Sequence, residues 1–171
     1  MARIVKGWEG RHFEDFEVGD VYIHPYGRTV TESDNIWFTL LTMNMNEIHF
    51  NSDYASKTSW GKPLVNSTLT LAIVTGMSVM DVSQNAINVG WEDIQLPNPL
   101  FAGESIYARS EVLEKRESKS KQEMGIVKLK TTGYKADGTI ILEMKRTIMA
   151  WKKEHSPREQ INESRGRVKL A

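Results

Sequence analysis

The chain has 171 residues, 40% of them hydrophobic, with Lys+Arg and Asp+Glu both 22 and a formal net charge of +0. That is long enough for one domain with its own core and too short to expect two. Balanced charge gives no global field toward phosphate backbones or anionic lipid, so neither nucleic acid nor a membrane is an expected partner. The lack of cysteine excludes disulfides, thiolate nucleophiles and Cys-based zinc sites together.

The first residues, "MARIVKGWEGRHFEDF", contain no apolar h-region. The run "LVNSTLTLAIVTGMSVM" holds five Ser or Thr and falls short of the roughly 18 uninterrupted apolar residues of a span. A soluble cytoplasmic protein is the expectation.

Taken in order, "FEDFEVGDVYIHPYGRTV" carries a Gly19-Asp20 turn between short extended pieces. "TESD" at 31–34 matches a capping box, so a helix should begin there. Its apolar positions Ile36, Trp37, Leu40 and Leu41 follow three-to-four spacing, and Asn44 with Asn46 is the expected break. Ser52 is placed to cap a short helix, "DYASKTSW", that ends at Gly61, with Pro63 beyond it. From Asn66, "NSTLTLAIVTGMSVMD" is apolar around most of its circumference, which predicts a surrounded central helix.

Everything between that helix and the tail reads as strands with period-two alternation, seen in "AINVGWEDIQL", "ESIYARSEVLEKRES" and "GIVKLKTTGYKADGTIILEMKRTIMAWKK". Asp137-Gly138 between two such runs predicts a two-residue hairpin turn with both residues at positive φ. The tail after Trp151 loses its periodicity. It is expected to be a loose charged extension (residues 153–171), or an arm on a partner, beyond a domain of residues 1–152. The predicted class is α+β, a single domain in which a long antiparallel sheet wraps around one apolar helix. Such a sheet leaves an open edge, so pairing with a second copy is expected, as a homodimer or a higher homo-oligomer.

Catalytic side chains favour connections held by a rigid scaffold, and residues 44–67 form the longest connection between the two main helices. His49 lies there, between Ile48 and Phe50, suited to general acid/base work. Spacing alone favours a histidine satisfied by a backbone carbonyl, because one histidine is weak evidence. The amides of Ser67, Thr68 and Leu69 open the central helix and suit a developing oxyanion or a thioester carbonyl. Capping by Asn66 accounts for the same residues equally well. His12, His24 and His155 have no liganding neighbours at helical spacing, so no metal site is expected. There is no glycine-rich phosphate loop, and the methionines read as core filler.

The ordered segments "FEDFEVGD", "GRTVTESD", "FTLLTMNMNEIHFNSDYASKT", "GKPLVNSTLTLAIVTGMS" and "LPNPLFAGESIYARSEVLEKRES" resemble the MaoC-like dehydratases, or (R)-specific enoyl-CoA hydratases, of the hot dog fold. The resemblance covers about residues 13–152. "DVSQNAINVGWEDIQL" is similar to the corresponding part of mesaconyl-CoA hydratases, a branch acting on branched C4 or C5 acyl-CoA.

The resemblance implies a hot dog domain, dimers that share one continuous sheet, and an acyl-CoA thioester in a tunnel near the dimer interface. No separate cofactor is implied, CoA being part of the substrate. The family's hydration motif, Ser-Gly-Asp, any residue, Asn-Pro, any residue, His, falls on Thr42, Met43, Asn44, Asn46, Glu47 and His49. It implies that His49, with the residue at position 44, activates water for addition across an α,β double bond. The same resemblance brings Asn46, Asn66, Ser67 and Thr68 to the substrate site, where amides at the start of the central helix polarise the thioester oxygen and Ser67 takes that position.

Here the motif's aspartate is Asn44, which orients water but takes no proton at neutral pH. Three readings follow. The chain is a hydro-lyase on a short or branched 2-enoyl-CoA with His49 as base and acid and Asn44 positioning water; or a thioesterase in which Glu47 serves; or a non-catalytic acyl-CoA-binding subunit completed by a partner.

Overall fold

The computed structural model describes residue 5 and residues 7–165. A six-stranded antiparallel sheet is formed by β1 (Val21–Ile23), β2 (Arg28–Thr29), β3 (Ala86–Gln95), β4 (Ser105–Glu117), β5 (Met124–Lys135) and β6 (Ile140–Trp151). Strands β1 and β2 both pair with β4, and the order continues through β5 and β6 to β3. β3 is therefore an edge. Three helices precede it: α1 (Glu32–Leu41), α2 (Ser52–Ser56) and α3 (Ser67–Ser78), with a single-turn 3-10 helix at Glu47–His49. This is the α+β arrangement that the alternation and the one apolar helix predict.

The capping box of α1 forms as read. Asp34 N–H donates to Thr31 Oγ1 at 3.1 Å and Thr31 N–H donates to Asp34 Oδ2 at 2.8 Å. The orientation of α1 is less expected. Its buried residues are Asn35 and Thr39, whereas Trp37 is 75% exposed and Leu41 82% exposed. The apolar stripe faces outward because Asn35 and Thr39 are bound to the interior by hydrogen bonds to three other segments.

α3 lies across β4 and β5, so close that a Cβ on Gly133 would sit 2.6 Å from Val74 Cγ2. Leu69 and Val74 enter a cluster with Val30, Leu100, Ile106 and Leu142. A second cluster, around Phe16, Val112, Val127 and Ile148, fills the other end. The helix is not surrounded: Ala72, Gly76, Val79 and Met80 are exposed. One sheet covers one side of a helix, which leaves the far side of this apolar cylinder open.

Three local expectations change. Asn51, not Ser52, caps α2, its Oδ1 accepting from the amides of Asp53 and Tyr54. At the β5–β6 hairpin Gly138 alone has positive φ (88°), and its N–H donates to Lys135 O at 2.9 Å. That is a longer loop with glycine in the left-handed position, not the two-residue mirror-image turn. The segment expected to be loose includes α4 (Pro157–Arg165). Ser156 is buried and accepts the Arg158 amide at its Oγ, with Pro157 in the first helical position. The remainder of that extension, 166–171, lies outside the described residues.

Candidate active site

The site is built by the turn that ends α1. Met43 N–H donates to Leu40 O and Asn44 N–H to Thr39 O, both at 3.0 Å, with Met43 at φ 56°. These bonds make a Schellman closure with a methionine in the left-handed position usually taken by glycine. Asn44 Oδ1 then accepts the amide of Asn46 at 3.0 Å, and Asn46 Oδ1 accepts that of Ile48 at 3.3 Å. Two consecutive side-chain turns thus steer the chain into the 3-10 turn that carries His49.

His49 is 8% exposed, and its Nδ1 lies 2.8 Å from Leu64 O. A carbonyl only accepts, so Nδ1 carries the proton; in the neutral ring the lone pair sits on Nε2. Asn35 fixes both partners of this bond. Its Nδ2 donates to His49 O at 2.8 Å and to Leu64 O at 3.0 Å, while its Oδ1 accepts Asn66 N–H at 2.8 Å. One buried amide therefore ties together the histidine turn, the segment before α3 and the start of α3.

His49 and Ser67 line one cavity of about 220 Å³, walled on the far side by residues 96–100. Thr70 and Ile141 lie at its inner face, and Trp60 lies against solvent. The other residues marked in the sequence are engaged within the chain. Asn66 is buried; its Oδ1 accepts the amide and the hydroxyl of Thr68, and its Nδ2 donates to Thr39 Oγ1. Neither Asn66 nor Thr68 lines the cavity, and nor do Asn44 and Asn46. The Ser67 amide has no protein acceptor among the described residues, so it remains available at the positive end of α3.

Sequence reasoning passed over Asn35, Trp60, Thr70 and the 96–100 segment. A signal existed for the first: Asn35 and Thr39 are four apart, a polar pair on the face opposite the apolar stripe. The wall at 96–100 carried only turn chemistry, Pro97 and Pro99 in "LPNPL".

A second histidine has partners that the sequence did not reveal. His24 Nδ1 lies 2.8 Å from Asp81 Oδ2 and its Nε2 lies 2.9 Å from Ser110 Oγ. The order acid, imidazole, hydroxyl resembles a nucleophile relay. Ser110 is fully buried, however, and its Oγ is also bonded to Thr131 Oγ1 at 2.9 Å, so no substrate carbonyl reaches it. The group is a structural bolt between the sheet and the π-turn Val79–Ser83 that follows α3. Burial holds the His24 ring below the ordinary histidine range; Asp81 opposes this, and Arg146 and Arg11 add to it. Among the described residues no cluster of metal-ligating side chains occurs, and no helix is long and apolar enough to cross a membrane.

A family profile described as mesaconyl-CoA hydratase matches residues 2–167, nearly the whole chain. The chain belongs to the mesaconyl-CoA hydratase family. It is 28% identical over 146 residues to the β-methylmalyl-CoA dehydratase of Chloroflexus aurantiacus, covering 85% of this chain and 41% of that one. Among solved structures, a MaoC domain protein dehydratase from Chloroflexus aurantiacus superposes with TM-score 0.82 and 28% identity, over 88% of this chain and 43% of that one. A Mycobacterium tuberculosis protein with a double hotdog fold superposes with TM-score 0.77 and 21% identity, over 85% of this chain and 45% of that one. This member of the mesaconyl-CoA hydratase family therefore has the hot dog fold, and it spans less than half the length of the curated relative.

Proposed function

We propose that the chain is a hydro-lyase that adds water reversibly to a short or branched 2-enoyl-CoA, giving a 3-hydroxyacyl-CoA. The observation that carries this reading is the pairing, on one cavity, of a histidine whose Nδ1 is fixed by Leu64 O and the free Ser67 amide. The kinship with hydratases and dehydratases of CoA esters supports it.

In the proposed reaction the thioester oxygen accepts from the Ser67 amide, which draws electron density from the double bond toward the carbonyl. His49 Nε2 takes a proton from water as the water oxygen bonds to the β carbon. The enolate so formed collapses as the imidazolium returns a proton to the α carbon, so one water is added and the histidine is regenerated. Asn44 does not itself line the cavity; its Oδ1 is held by the Asn46 amide, and its Nδ2 is the group that would donate to an attacking water at the edge of the site. Asn46, Asn66 and Thr68 are the supports that keep the turn and the helix start in register.

The test is loss of enoyl absorbance with crotonyl-CoA and mesaconyl-CoA. His49→Ala is expected to lower kcat/KM at least about 10²-fold, the usual share of acid/base catalysis. Release of free thiol from a saturated acyl-CoA would instead identify a thioesterase. Turnover by the parent matched by His49→Ala would remove the histidine from the mechanism.

We further infer that the unit works as a homodimer. β3 presents an unpaired edge with Ile87, Val89 and Trp91 exposed, α1 presents Trp37, Leu40 and Leu41, and the double fold of the Mycobacterium tuberculosis neighbour shows two such units in one chain.

A further inference from the structure

The mouth of the cavity carries a group of side chains that the hydration chemistry does not use. Trp60 forms part of the cavity wall yet is 44% exposed, so it stands where the cavity meets solvent. Its ring centroid lies 6.4 Å from that of Phe101. The Lys62 ammonium sits over the Phe101 ring, 4.3 Å from its centroid. Lys62 makes no ion pair among the described residues, whereas nearby Lys57 is paired with Asp53 and Lys135 with Glu104. An aromatic face holds an ammonium in place without neutralising it. Lys62 is thus a positioned and unspent cation.

The same short segment joins this mouth to the catalytic histidine. Leu64 pairs with Phe101 in an antiparallel bridge, and Val65 N–H donates to Leu100 O at 2.9 Å, which fixes residues 64–65 beside the end of the 96–100 wall and Phe101 just after it. Leu64 O also receives His49 Nδ1. Two residues of chain put the Lys62 Cα at most about 7 Å from that of Leu64, and its side chain reaches farther out. A pantetheine arm contains two amide units between thioester and first phosphate, so it spans roughly 15 Å when extended. An arm of that length, with its thioester at Ser67, is long enough to leave the cavity past Trp60, on the side of the 60–65 segment that carries Lys62.

We propose that Trp60, Lys62 and Phe101 form the outer subsite for CoA, in which Lys62 receives a phosphate and the Trp60–Phe101 wall packs along the pantetheine arm. This rests on the acyl-CoA reading above and adds the residues that distinguish CoA from a bare thioester. Lys62 touches no reacting atom and is a binding residue.

The experiment is calorimetric titration of the full chain with CoA and, separately, with crotonyl-pantetheine, which has the arm but no phosphate. Lys62→Glu, a surface change, is expected to weaken CoA at least tenfold and crotonyl-pantetheine less than twofold. Lys62→Arg is expected to retain CoA, and Trp60→Ala to weaken both ligands. Equal CoA affinity in parent and Lys62→Glu, an equal loss for both ligands in Lys62→Glu, or no CoA binding by the parent would each overturn the subsite. CoA binding with the predicted Lys62 pattern, but without hydration of any enoyl-CoA, would overturn the hydratase reading and leave the subsite standing.

Discussion

At the scale of single residues, position 44 is where the proposed chemistry is most open to test. In the proposed reaction an amide there orients water but cannot share the proton, and both proton transfers fall to His49. Asn44→Asp keeps the side-chain shape and the acceptor for the Asn46 amide, and adds a base. Its hydration rate is expected to exceed the parent's by about tenfold, a small part of the range of acid/base catalysis. Stopped-flow absorbance with crotonyl-CoA measures it, and an unchanged or lower rate would detach this position from the water. Met43 offers a test of the scaffold alone. Its side chain is exposed while its φ is 56°, so glycine removes backbone strain and gives up little packing. Met43→Gly is expected to stabilise the fold by roughly 1 kcal/mol, or about 2–4 °C in Tm for a domain of this size. A lower Tm would show that the methionine's own contacts outweigh the strain.

At the scale of elements, the junction between the sheet and the end of α3 is sensitive to pH. His24 is buried between Asp81 and Ser110, with Arg11 bound to Asp81 at 3.2 Å and Arg146 buried in the same layer. The folded state holds this ring below the ordinary histidine value, so between the two values the unfolded chain binds the proton and the folded chain does not. Stability therefore rises with pH through that window and is lost as pH falls below about 6.5. Scanning calorimetry from pH 7.5 to 5 should show a fall in Tm that shrinks in His24→Gln. A fall of the same size in both would move the cause to another group. α1 is the other element whose role differs from its pattern. Its three-to-four spacing announced a helix, and the capping box fixed where it starts, but the buried face proved to be the one carrying Asn35 and Thr39. Hydrogen bonds to three segments hold that face inward, and no periodicity encodes partners so distant in sequence.

At the scale of the molecule, exposed apolar surface dominates the reading. The edge of β3, the outer stripe of α1 and the π-turn after α3 at Val79 and Met80 all leave large apolar side chains bare, the kind of surface that marks an interface. Light scattering after gel filtration is expected to give twice the chain mass. Val89→Lys with Trp91→Lys places like charges against their symmetry mates along the edge and should give the single-chain mass. An unchanged dimer would place the interface elsewhere.

Local rules made much of this protein legible in its sequence. Period-two alternation marked β3 to β6, "TESD" marked the start of α1, Asn66 marked the cap of α3, and the ordered motifs marked the family. Such features depend on neighbours within a few residues, so they survive without coordinates. The tautomer of His49, the joining of three segments by Asn35, the wall at 96–100 and the cation over Phe101 are different in kind. Each needs groups that are strangers along the chain to stand within a few ångströms, as Leu64 O stands to His49 Nδ1 and Phe101 to Lys62. Packing decides that, because only the packed chain converts sequence separation into distance.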